Sequence, residues 1–171
     1  RRAWLRALVP GDLEPRMIDR GTDLLPKPSA MLAGLVPALP ELHFRQTNLA
    51  ATGIEPGMSG GAAAFAGFRS RVDGYRVGRD FPASEATSRL SVHLRFGTVS
   101  VRELAAFAHA RSLEPGGAGA SAWLSELIWR EFYAQLLWHH PEVATRAFQP
   151  AFDALRFPDD PEKFAAWREA R

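Results

Sequence analysis

Apolar residues recur every three or four positions through most of the chain after residue 58, whereas the alternation typical of β-strands is scarce. Phe65 and Phe68 follow this spacing and predict a helix over residues 62–72. A capping-box pattern that starts at Ser100 predicts a second helix, over residues 100–111. The pattern therefore predicts an all-α fold class.

A longer helix is predicted from about Ser121 to His140, where Pro141 stops it. Its sequence is apolar on nearly every side, so we expect the helix to be buried. Glu126 would then need a charged or hydrogen-bonding partner, because an unpaired buried carboxylate is costly. Arg130, one turn later, is the partner that the spacing suggests.

Prolines interrupt the first part of the chain repeatedly, so residues 1–58 are expected to form an irregular interdomain linker. Residues 59–171 are expected to form the helical domain. Its last helix is predicted to start at Asp160 as the N-cap, with Pro161 in the first helical position. The first residue is not methionine and helical patterns run into both ends, so we expect a fragment of a longer protein.

The composition is that of a globular chain, with 46% hydrophobic and 23% charged residues. No stretch approaches the roughly 20 apolar residues needed to cross a bilayer, and no signal peptide is evident, which favours a cytoplasmic protein. The absence of cysteine excludes disulfides, zinc–thiolate sites and thiol nucleophiles. Nearly all basic residues are arginine, which binds phosphate through paired hydrogen bonds.

Three hydroxyl side chains fall within residues 87–91, here called the hydroxyl loop, just before a short predicted turn of helix. Hydroxyls and backbone N–H groups in such a cluster can bind phosphate, but the cluster taken alone favours ordinary helix capping. Arginines flank the loop, with Tyr75 and Phe81 between them. This pattern suits contact with a cofactor phosphate or a DNA backbone, and the alternative is a solvated arginine-rich face.

Five polar and aromatic side chains share one broad face of the long predicted helix, because they recur at intervals of three and four residues. Tryptophans beside a carboxylate and a guanidinium suit the stacking of flat aromatic ligands. An aromatic core stripe with an internal ion pair is the alternative. The residues are Trp123, Glu126, Trp129, Arg130 and Tyr133.

Two runs of sequence together resemble the DNA photolyase/cryptochrome family, and most closely its cyclobutane pyrimidine dimer photolyases. One run comprises Arg-Asp-Phe-Pro at residues 79–82, the hydroxyl loop, and residues 93–100; the other is residues 123–133. Their order and spacing are similar to the first half of the family's helical FAD-binding domain. The resemblance implies a truncated multihelical FAD-binding domain, preceded by the linker that follows the family's N-terminal α/β domain.

The resemblance also implies site residues. Arg79 would contact a DNA phosphate, and Tyr133 would lie at the DNA. Glu126 and Trp129 would be catalytic and DNA-binding, since the carboxyl group would hydrogen-bond the damaged pyrimidine pair and the indole would pack against it. The residues implied to hold FAD are Tyr75, Thr87, Ser88, Arg89, Leu90, Ser91, Trp123 and Arg130.

The activity that the resemblance implies is light-driven repair, in which reduced FAD passes an electron to a cyclobutane pyrimidine dimer, the ring splits and the electron returns. A cryptochrome-type photoreceptor, repair of another pyrimidine photoproduct, and a helical DNA-binding module without cofactor remain alternatives. The expected partner is damaged DNA, with no membrane, and the expected state is a monomer. The isolated sequence is expected to be inactive, because half of the FAD pocket would lie beyond it.

Two further expectations depend on the resemblance. A second, antenna chromophore would belong to the complete protein, and its identity stays open. Thr145 stands where some folate-using members have lysine, which argues against folate. The hydroxyl loop and the tryptophan-bearing helix are expected to face one common cavity shaped for a bent cofactor.

Overall fold

The computed structural model describes residues 2–14, 40–44, 49–156 and 159–170. Every regular element in these ranges is helical, which confirms the predicted fold class. Most of the proline-rich segment expected to be irregular lies outside the described residues. Its described beginning is helical, as the pattern at the start of the chain indicated. None of the described helices has the length and hydropathy needed to span a bilayer.

The described residues form eight α-helices and four short 3-10 segments. The 3-10 segments are Leu49–Thr52, Val72–Gly74, Pro141–Ala144 and Pro150–Ala154. The α-helices are α1 Arg2–Ala7, α2 Pro10–Leu13, α3 Gly57–Arg69, α4 Tyr75–Gly78, α5 Ser91–Phe96, α6 Val101–Ser112, α7 Ala118–His139 and α8 Pro161–Arg168.

Local capping signals placed two helix starts correctly. The Ser100 hydroxyl accepts a hydrogen bond from the backbone N–H of Glu103 at 3.5 Å, and α6 begins one residue later. Asp160 accepts from the backbone N–H of Lys163 at 3.0 Å and caps α8. The helix predicted over residues 62–72 is displaced toward the N-terminus, because α3 begins at Gly57 and the chain turns into a 3-10 segment after Arg69.

The chain divides into two compact units, residues 1–128 and 129–171. In the first unit, α3, α6 and the first half of α7 enclose an apolar core that also includes Tyr75 and Leu90. Trp123 lies at the centre of this core, and the centre of its ring is 4.7 Å from that of Phe68. The neighbouring rings of Phe65 and Phe107 are 5.4 Å apart. Burial of such large rings is a main source of stability in a helical domain.

The N-terminal turn of α7 lies directly against the backbone of the preceding 3-10 segment. A side chain at Gly119 would overlap the carbonyl oxygens of Val72 and Asp73, so only glycine permits this approach. Arg111 of α6 also binds this 3-10 segment, through an ion pair of 2.7 Å with Asp73. The segment that leads into α4 is therefore fixed against α7.

The prediction that the whole of α7 is buried was wrong for its second half. The buried residues of α7 lie between Gly119 and Ile128. Beyond them, within the second unit, Trp129 is 51% exposed and Trp138 is 81% exposed. The apolar pattern of the helix continues without a change where the covered part ends, so the sequence alone did not indicate the difference.

Candidate functional site

An ion pair joins the end of α4 to α7. The guanidinium of Arg79 donates to the Glu126 carboxylate at 2.5 Å, and the two side chains are 36% and 37% exposed. The same guanidinium lies 5.5 Å from the centre of the Tyr75 ring, within the range of a cation–π contact. Three residues that the resemblance assigned to DNA, lesion and cofactor are therefore brought together by the fold.

This ion pair corrects the prediction made for Glu126. The carboxylate was expected to be buried and to pair with Arg130 one turn later. It is instead partly exposed, and it forms an ion pair with Arg79, 47 residues earlier in the chain, while the pairing with Arg130 stays a prediction. The helical spacing indicated a local partner, whereas the packing of α4 beside α7 supplies a distant one.

The electrostatics of this cluster are set by burial and by the ion pair. The hydrogen bond to Glu126 raises the pKa of Arg79 above its already high value, so the guanidinium stays charged. Burial raises the pKa of Tyr75, while the positive charge of Arg79 acts in the opposite direction. Tyr75 is therefore a neutral phenol at physiological pH and keeps its proton.

The hydroxyl loop lines a cavity of about 450 Å³ together with Thr52 and Ile54. Leu90 is fully buried and anchors the loop to the core. Its backbone N–H reaches the Ser88 hydroxyl at 3.4 Å, and Arg89 between them has a left-handed backbone with φ of 52°. Because Leu90 packs inward, the hydroxyls and Arg89 are the side chains of the loop that are left for a ligand.

A smaller cavity, of about 210 Å³, lies next to the first and shares Ile54, Ser88 and Arg89 with it. Arg71 and His93 also line it. The imidazole of His93 is buried and lies 2.8 Å from the Thr98 hydroxyl, so it is a satisfied core residue. None of the residues around these two cavities comes from α7, and a cavity common to the hydroxyl loop and α7 stays a prediction.

Trp123 and Trp129 lie in different surroundings although the sequence placed them on one helix face. Trp123 is only 4% exposed and packs on phenylalanine rings, as the core-stripe interpretation describes. Its contact with a cofactor stays a prediction, as does that of Arg130. In the second unit, the Trp129 ring stacks on Tyr133 at 6.0 Å and meets Phe132 edge-on at 5.4 Å.

Sequence reasoning missed several residues at these sites. Thr52 and Ile54 line the larger cavity but precede the helical pattern, so no motif indicated them. Phe132 was not among the five residues predicted to share one face of the helix, although its ring contacts those of Trp129 and Tyr133. No group of three or more metal-ligating side chains occurs in the part of the chain that the structure describes.

Residues 123–171 match the FAD binding domain of DNA photolyase. The deoxyribodipyrimidine photo-lyase of Vibrio cholerae is 43% identical over 105 residues, which are 60% of this chain and 22% of that protein. The deoxyribodipyrimidine photo-lyase of Halobacterium salinarum is 32% identical over 78% of this chain and 29% of its own length.

A solved structure shares the fold. The crystal structure of a bacterial class III photolyase from Agrobacterium tumefaciens superposes with a TM-score of 0.67 at 31% sequence identity. The similarity covers 77% of this chain and 28% of that one. The chain thus spans less than a third of the length of these relatives.

Proposed function

We propose that this chain, which belongs to the DNA photolyase family, provides part of the FAD-binding domain of a light-driven DNA repair enzyme that splits cyclobutane pyrimidine dimers. The observation that carries the proposal is the ion pair between Arg79 and Glu126. The two residues come from separate runs of the family resemblance and meet at 2.5 Å on a partly exposed surface. Such a meeting suits a site that receives a charged, hydrogen-bonding ligand.

The hydroxyl loop fits the phosphate part of FAD. Its cavity of about 450 Å³ lies within the usual size of ligand pockets, about 300–1,000 Å³. Hydroxyl groups and a guanidinium donate hydrogen bonds that phosphate oxygens accept. Thr87, Ser88, Arg89 and Ser91 would hold the phosphates, and Tyr75 would contribute nearby.

When bound, reduced FAD would lend one electron to the dimer after excitation by light and would recover it once the cyclobutane ring has split. The residues of this chain bind and orient the DNA. Arg79 binds a backbone phosphate, and Glu126 hydrogen-bonds the pyrimidine dimer once the dimer has left the base stack. The exposed rings of Trp129 and Tyr133, in the second unit, offer flat surfaces on which unstacked pyrimidines can pack.

Damaged DNA is the proposed partner, and the protein is proposed to act as a monomer in the cytoplasm. A second chromophore in the complete protein is left without an identity, and Thr145 still argues against folate.

The test uses the complete protein that contains this chain. We expect the purified protein to show a flavin absorption spectrum and to restore oligonucleotides that contain a cyclobutane thymine dimer under near-ultraviolet or blue light, but not in the dark. Retained flavin without repair would support a cryptochrome-type photoreceptor or another lesion. Binding of DNA without any flavin would overturn the proposal in favour of a plain DNA-binding module.

A further inference from the structure

Three consecutive residues just before the hydroxyl loop are each anchored to a neighbouring element. The hydroxyl of Ser84 lies 2.7 Å from the Gly78 carbonyl oxygen and 2.8 Å from that of Phe81. The carbonyl oxygen of Glu85 accepts a hydrogen bond from Arg71. The methyl group of Ala86 lies directly against Gly78. The chain is thus held firmly at the point where the loop begins.

Arg71 connects this point to α3. Its Nη1 donates to the Glu85 carbonyl oxygen, while its Nε donates to the carbonyl oxygen of Gly67 at 3.2 Å, in the last turns of α3. A guanidinium can make both bonds because its donors are fixed in one plane, whereas the single ammonium group of lysine has no such fork. Arg71 therefore bridges two backbone carbonyls that are 18 residues apart.

Gly78 permits the close approach of Ala86 to the end of α4. A Cβ atom at this position would overlap the Cβ of Ala86, and the Ser84 hydroxyl is also close, at 3.6 Å. Any side chain at Gly78 would have to displace the segment one residue before Thr87. The end of α4 and the start of the hydroxyl loop thus approach each other through the absence of a methyl group.

We propose that Arg71 and Gly78 are positioning residues that set the geometry of the hydroxyl loop and, through it, the affinity for FAD; the cofactor half of this inference rests on the proposed function. The loop contains no regular secondary structure before α5, and Arg89 within it has a left-handed backbone. A conformation of that kind persists only where the surrounding structure holds it. Arg71 on one side and Gly78 on the other provide that hold.

The first experiment measures the dissociation constant for FAD of the complete protein after removal and titration of the flavin. We expect Arg71→Lys and Gly78→Ala each to weaken binding by about tenfold, a difference of about 1.4 kcal/mol. The double variant Gly78→Ala/Ala86→Gly moves the methyl group across the contact and should return affinity to within about threefold of wild type. Arg69→Lys is the matched control, because Arg69 lies over the Phe107 ring and is expected to leave affinity unchanged.

The second experiment follows amide hydrogen exchange in the flavin-free protein. Both single variants should speed exchange in residues 84–91 and leave α6 unchanged, and the double variant should restore the wild-type rate. Unchanged exchange in this segment would overturn the inference. Faster exchange with unchanged affinity would overturn its cofactor half, and failure of the double variant would overturn the role of Gly78. If the wild-type protein binds no FAD while the variants change exchange as expected, the proposed function is overturned. The positioning role of Arg71 and Gly78 is then retained.

Discussion

The Arg79 guanidinium bonds to the Glu126 carboxylate at 2.5 Å, so two groups that we propose to bind DNA neutralise each other in the free protein. Both side chains remain about a third exposed, and an ion pair of this kind contributes little to stability, about 0.2–1 kcal/mol. The pair is therefore easily exchanged when a phosphate competes for the arginine. Its main effect is to hold both side chains in place.

For Arg79→Gln, we expect weaker binding of damaged DNA and a shallower dependence on salt. Loss of one phosphate contact lowers the slope of log affinity against log salt by about 0.9. The measurement is a series of binding isotherms with a dimer-containing duplex between about 50 and 200 mM salt. Arg69→Gln is the control, since Arg69 contacts the Phe65 and Phe107 rings. An unchanged salt slope in Arg79→Gln would remove the phosphate contact from the proposal.

Glu126→Gln should lower light-dependent repair far more than FAD content, because the amide keeps the size of the carboxyl group but loses its charge. A loss of one catalytic hydrogen bond or proton-sharing group corresponds to about 10²-fold in rate. Repair of a defined dimer and the ratio of flavin to protein absorbance are measured on one preparation. Glu131→Gln, which alters an exposed carboxylate paired with Gln135 on α7, should leave both unchanged. Equal loss of repair and flavin would make Glu126 a structural residue.

Two tryptophans of α7 should respond in opposite ways to alanine. Trp123→Ala removes a buried ring from the core and should lower the free energy of unfolding by about 3–5 kcal/mol. Trp129→Ala truncates a side chain that is 51% exposed and should change stability much less, while it weakens binding to dimer-containing DNA by about 1–3 kcal/mol. Urea denaturation and DNA titration of both variants check this contrast. Similar effects of the two substitutions in both assays would contradict it.

The ionisation of Tyr75 predicts a change of stability at alkaline pH. Because burial raises its pKa, the folded protein holds the phenolic proton more tightly than the unfolded chain. The resulting stabilisation is present below the usual tyrosine pKa, about 10, and is lost as the pH rises through the folded value. Tyr75→Phe lacks this ionisation, so its free energy of unfolding should fall less steeply between about pH 9 and 11. Parallel curves for the two proteins, obtained by urea denaturation, would argue against the prediction.

Local rules predicted part of this structure, and long-range packing decided the rest. The starts of α6 and α8 follow from Ser100 and Asp160, because a cap depends only on the next three residues. Arg79 was not predicted as a partner of Glu126, because a helix repeat reveals only neighbours on the same helix. Arg71 and Gly78 were likewise not singled out, since their role depends on contacts with Glu85 and Ala86, which no short motif encodes.

Gly119, at the start of α7, affects the ion pair between Arg79 and Glu126. Val72 and Arg79 are seven residues apart, as are Gly119 and Glu126. Gly119 and Glu126 face the same side of α7, because seven residues make almost two full turns of a helix. Residues 72–79 therefore run alongside α7 in the same direction. Val72 contacts the helix at Gly119, and Arg79 contacts it at Glu126. A methyl group added at Gly119 would slide or tilt the helix at one end of this segment. The Glu126 carboxylate, two turns away, would then no longer meet the Arg79 guanidinium, so the position of Glu126 depends on the absence of a side chain at Gly119.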